Sequence, residues 1–146
     1  MPPHTVYAGI GKNTTLLAFL PKTLTVPGTP VTFVNMAPSE IHNMIWGPPD
    51  WLKPFVGQTE LFRQEPGTPN HVQPFWIYGS DPPPFTYDGT SHGNGVFATP
   101  LLDDQPGEPP QGLPQSLQVT LTKPGTYHDF CHVHGVDLSG DIVVTG

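Results

Sequence analysis

Positive charge is scarce in this chain: five lysines and arginines stand against twelve acidic residues, for a formal net charge of −7. Neutralising nucleic-acid phosphates takes a basic surface, so no nucleic-acid partner is expected. A single cysteine, Cys131, excludes an internal disulfide, and the redox compartment therefore cannot be read from cysteine pairing. No apolar run approaches the length needed to cross a bilayer, which leaves no transmembrane segment to expect. Met1 to His4 carry neither the basic segment nor the apolar core of a signal peptide. No nucleotide-binding loop, serine nucleophile elbow or carboxylate pair in a recognisable setting occurs, and the chain does not read as an enzyme.

Proline and glycine are abundant instead, with 21 and 16 copies in 146 residues. That composition opposes a helical bundle and favours short strands joined by many turns, in a chain long enough for one domain with a real core. Val31 to Asn35 reads as a β-branched strand, and Leu117, Val119 and Leu121 alternate with polar residues as in a half-buried strand. Further strands are expected over His4–Ala8, Thr14–Phe19, Thr23–Val26, Thr126–Cys131 and Asp141–Thr145. Between residues 47 and 114 prolines break any long element, and Phe75–Tyr78 and Val96–Ala98 are the strand fragments expected there. Trp46, Trp51, Phe62, Phe75, Trp76, Tyr87 and Phe97 in and beside this span oppose disorder, because disordered segments are poor in aromatics. The span reads as an ordered, loop-rich insertion.

Chemistry concentrates near the C-terminus. Cys131 and His134 stand three residues apart in a loop between strand-like runs, a soft donor pair that suits copper better than magnesium, calcium or manganese. One more imidazole would complete a trigonal set, and His42, just beyond the turn at Ala37-Pro38-Ser39, is the candidate. Taken alone, Cys131 could as well be a small buried hydrophobe.

The order Tyr127-x-x-x-Cys131, His134, then Leu138-Ser139-Gly140 before a closing strand resembles the copper loop of the cupredoxins. The likeness is strongest to single-domain, plastocyanin-like type 1 (blue) copper proteins. Ser39-Glu40-Ile41-His42-Asn43 fits the family's first ligand segment. The resemblance covers residues 19–46 and 115–146 well and the middle loosely. It implies an all-β, cupredoxin-like Greek-key sandwich of seven or eight strands, a single domain over 1–146 with the insertion at 47–114. It implies one copper ion, cycling between Cu(I) and Cu(II), held by His42, Cys131 and His134 and used for electron transfer.

Further expectations follow from the same resemblance. The family usually places methionine at the axial position, where this chain has Leu138, which offers no donor and implies a high reduction potential. Asn43 would tie the first ligand segment to the copper loop. Redox proteins would dock transiently near His134, on a patch drawn from Pro48, Pro49, Trp51, Gly135 and Val136. Family members are usually periplasmic or at the outer face of a membrane, with a leader removed or absent from this sequence. His132 is expected to be solvent-facing or hydrogen-bonded, and His4, His71, His92 and His128 to be surface or loop residues. Two alternatives stand beside this reading: a catalytic copper protein in which His132 binds a second copper at a subunit interface, and a non-redox copper carrier or binding module.

Overall fold

The computed structural model describes residues 2–9, 18–37, 40–48, 83–90, 95, 97–103, 113–132 and 134–146. Ten strands and no helix occur among them: β1 (Thr5–Ala8), β2 (Phe19–Leu20), β3 (Thr23–Val26), β4 (Val31–Asn35), β5 (Ile45–Trp46), β6 (Phe85–Tyr87), β7 (Phe97–Ala98), β8 (Ser116–Leu121), β9 (Gly125–Cys131) and β10 (Gly135–Val144). They form two five-stranded mixed sheets, ordered β2-β1-β4-β8-β6 and β3-β10-β9-β5-β7. The number exceeds the seven or eight expected because short segments also pair as strands, among them the three-residue β6, which the sequence did not signal.

Alternation explains the layering. In β8 Leu117, Val119 and Leu121 are buried while Ser116 and Gln118 are exposed, and in β4 Val31, Phe33 and Asn35 are buried while Thr32 and Val34 are half-buried. The inward side chains of β1, β4 and β8 meet those of β3, β5, β7, β9 and β10 in one core that includes Val6, Phe33, Trp46, Phe97, Val119, Cys131, Leu138 and Ile142. Each such aliphatic or aromatic side chain contributes about 1.5–3 kcal/mol by leaving water. Gly28, at φ +73°, closes the Pro27-Gly28 turn between β3 and β4, a backbone state that glycine adopts without a steric penalty.

Two strands of the sandwich, β6 and β7, lie within residues 47–114. Strand β6 follows the Pro82-Pro83-Pro84 run and is not signalled by the sequence. It runs parallel to β8 at the sheet edge, where a proline-rich lead-in interrupts no ladder on its open side. The strand expected at Phe75–Tyr78 lies outside the described residues, as do residues 14–17 of the expected second strand.

Candidate metal centre

Three segments meet at one end of the sandwich. Asn35, a buried residue at the end of β4 that carries no ligand signature, ties β4 to the segment that bears His42. Its Nδ2 donates to the carbonyls of Glu40 (2.7 Å) and Leu102 (2.8 Å), and its Oδ1 accepts from the Ala37 amide (2.8 Å). His42 then pairs with Leu102 as an isolated bridge, donating through N at 3.0 Å and accepting at 2.7 Å. The first imidazole therefore rests on backbone locked from two sides.

The other two donors come from the β9–β10 hairpin. Cys131 ends β9 and pairs with Gly135, the first residue of β10, and His134 lies in the connection between them. Past Gly135 the register shifts: the next paired residue of β10, Ser139, faces Phe130, which leaves Val136, Asp137 and Leu138 without ladder partners. Leu138 is fully buried in the core cluster at this irregularity.

The sequence-predicted residues His42, Cys131 and His134 converge, with donor atoms all within 4.8 Å of one another. The Nδ1 atoms of His42 and His134 are 3.0 Å apart, and Cys131 Sγ lies 3.7 Å from the first and 3.5 Å from the second. The point equidistant from three atoms so spaced is about 2 Å from each, close to ordinary metal–nitrogen and metal–sulfur bonds of about 2.0 and 2.3 Å. The donor set therefore fits a single ion without moving. Cys131 and His42 are inaccessible to solvent, whereas the His134 side chain retains 18% exposure. Burial, with the charge of His134 adding, lowers the His42 pKa to about 4, which keeps this imidazole neutral and able to donate its lone pair near neutral pH.

Around these donors, Asn43 is fully buried and its Oδ1 accepts from the His132 amide at 3.0 Å and faces Cys131 Sγ at 3.9 Å. The first ligand segment and the turn are thus joined by a side chain. On the opposite side of the rings, Glu40 Oε2 stands 3.4 Å from His134 Nε2 and 3.8 Å from His42 Nε2. Neither Asn35 nor Glu40 was singled out as a site residue by the sequence. Asn35 ends a predicted strand beside a turn, which is the only signal it gives.

Of the two expectations for His132, the structure departs from the solvent-facing one: the residue is 1% exposed, its amide donates to Asn43 Oδ1, and neither ring nitrogen has a partner among the described residues. Burial lowers its pKa to about 4. His128 lies on β9 as an exposed residue and pairs with Asp141, and His4 Nδ1 is 2.9 Å from Thr29 Oγ1. His71 and His92 lie outside the described residues, as do Pro49 and Trp51 of the expected docking patch; Pro48 is exposed.

No helix among the described residues is long and apolar enough to cross a membrane. No protein-family model matches the sequence, and no curated protein matches it. Solved structures do. The chain is similar to the oxidised form of plastocyanin from Dryopteris crassirhizoma, at 17% identity and TM-score 0.53, over 97% of this chain and 99% of that one. It is also similar to a reduced Cu(I) form at pH 4 of an amicyanin mutant, at 17% identity and TM-score 0.51, over 99% of this chain and 84% of that one. At such identities the likeness concerns the fold.

Proposed function

We propose that this chain, a cupredoxin in fold, holds one copper ion through His42, Cys131 and His134 and serves as a single-electron carrier. The observation that carries the reading is the convergence of one thiolate and two imidazole donors within 4.8 Å at the end of the sandwich. Bound there, copper supplies one-electron exchange between Cu(I) and Cu(II), and a trigonal donor set of this kind suits both states.

The protein's own part is to hold the donors still. Cys131 ends a seven-residue strand, His42 rests on the Leu102 bridge, and Asn43 links the two segments, so little movement is available to the ligand atoms. By the family resemblance Leu138, buried and without a donor atom, would stand at the axial position and would disfavour Cu(II). His134, the one ligand with an exposed edge, is the outlet toward redox partners that dock transiently beside it. By the family resemblance such a protein works in the periplasm or at the outer face of a membrane, as a single domain over 1–146.

The burial of His132 opposes the catalytic alternative, because a ring that is 1% exposed cannot reach a metal shared with a neighbouring subunit. The visible spectrum of the Cu(II)-loaded protein beside Cys131→Ser tests the proposal. A strong thiolate-to-copper band in the first, absent from the second, is expected; a colourless wild type that nevertheless retains copper would favour a carrier.

A further inference from the structure

Glu40 stands where neither ligand chemistry nor packing requires an acid. With Nδ1 of each imidazole turned toward the donor cluster, the remaining proton of a neutral, metal-bound ring must sit on Nε2. Both Nε2 atoms face the same oxygen, Glu40 Oε2, at 3.4 Å from His134 and 3.8 Å from His42. That oxygen is shielded from solvent although the side chain is 36% exposed, and it has no hydrogen-bond partner among the described residues. His42 Nε2 likewise has none. The acid is also placed deliberately, since its backbone carbonyl is the 2.7 Å acceptor of Asn35 Nδ2.

We infer that Glu40 is a positioning residue: its carboxylate spans the outward N–H groups of both imidazoles and biases the centre toward oxidised copper. This rests on the copper reading above. Two N–H dipoles on one anion fix the orientation of both rings and increase the basicity of the nitrogens turned inward. A fixed negative charge beside the donors favours the more positive metal state, which opposes the effect of Leu138. At these distances, longer than a hydrogen bond, the interaction is electrostatic; a neutral side chain of the same shape removes most of it.

Glu40→Gln, Glu40→Ala and, as a remote charge control, the exposed Asp88→Asn separate the possibilities. In zinc-loaded protein, which is diamagnetic and redox-inert, the imidazole Nε2–H protons of His42 and His134 should be resolved by NMR and slow to exchange in the wild type. In Glu40→Ala they should exchange rapidly. In copper-loaded protein, Glu40→Gln should shift the Cu(I):Cu(II) ratio at a fixed solution potential about tenfold toward Cu(I), equivalent to about 59 mV for one electron. Asp88→Asn should shift it much less. Unchanged proton exchange in Glu40→Ala, or a Glu40→Gln shift no larger than that of Asp88→Asn, overturns the inference. If the zinc experiment succeeds while Cu(II) gives no thiolate band, the electron-transfer reading fails and the contact between Glu40 and the rings stands.

Discussion

Leu138 is the residue that would tune the proposed copper centre most directly. It sits in the three-residue irregularity of β10 and is fully buried. A methionine there would be of similar volume and would offer a thioether. Leu138→Met is expected to lower the reduction potential by on the order of 59 mV, a tenfold change in the one-electron equilibrium, with little loss of stability because the swap conserves volume. A redox titration checks this, and an unchanged potential would remove Leu138 from the axial place. The three candidate ligands were legible in the sequence because two ligand segments, their order and the flanking strands together resemble the cupredoxin pattern; the spacing of Cys131 and His134 alone is a weak signal. Asn35 and Glu40 were not. Asn35 acts through carbonyls of residues 40 and 102, and only the folded chain brings these together. A glutamate two residues before a histidine looks like any solvated acid.

Among the elements, the β9–β10 hairpin carries most of the site, and Gly140 is where its packing is tightest. A Cβ at this position would stand 2.9 Å from the Lys22 carbonyl oxygen, 3.0 Å from Asp129 Oδ1 and 3.4 Å from Phe19 Cβ. The Lys22 carbonyl is itself committed to the Asp141 amide at 2.9 Å, so it cannot withdraw freely. Gly140→Ala should therefore destabilise the protein by about 1–3 kcal/mol, as overpacking does; an unchanged denaturation midpoint would show that β10 can move aside. The sequence offered this glycine as a landmark after the ligand loop, and the structure supplies its cause. Strand β8 was readable from alternation and β4 from its β-branched residues. Strand β6 was not, because its three residues follow prolines and, among the described residues, pair with β8 alone. The start of β10 was read as loop because a register shift erases the period-two pattern.

At the scale of the whole molecule, the buried titratable groups give the metal-free protein a pH dependence. His42 and His132 have native pKa values lowered to about 4, while unfolded histidines titrate at 6.5. The unfolded chain therefore binds protons that the native state refuses, and stability is lost as pH falls from about 6.5 to about 4. Asp129 acts in the opposite sense: its burial between the sheets raises its pKa to about 7, so the native state holds a proton there that the unfolded chain releases above pH 3.8. Two groups outweigh one, and a net loss of about 3 kcal/mol is expected across that window. Denaturant unfolding of the metal-free protein at pH 6.5 and 4 measures it; equal stability would mean that one of the two rings accepts a proton in place. The all-β class was legible from composition and alternation, whereas the burial of His132 and Asp129 was not, since it depends on how the two sheets close.

The central claim is that Cys131, His42 and His134 make one type 1 copper centre. Its most direct test is the visible and electron paramagnetic resonance spectrum of the oxidised, copper-loaded protein beside Cys131→Ser. An intense visible thiolate-to-Cu(II) charge-transfer band is expected with the resonance of a single copper, the band vanishing in the variant. A wild type that binds Cu(II) without that band, or a Cys131→Ser protein that keeps it, would contradict it.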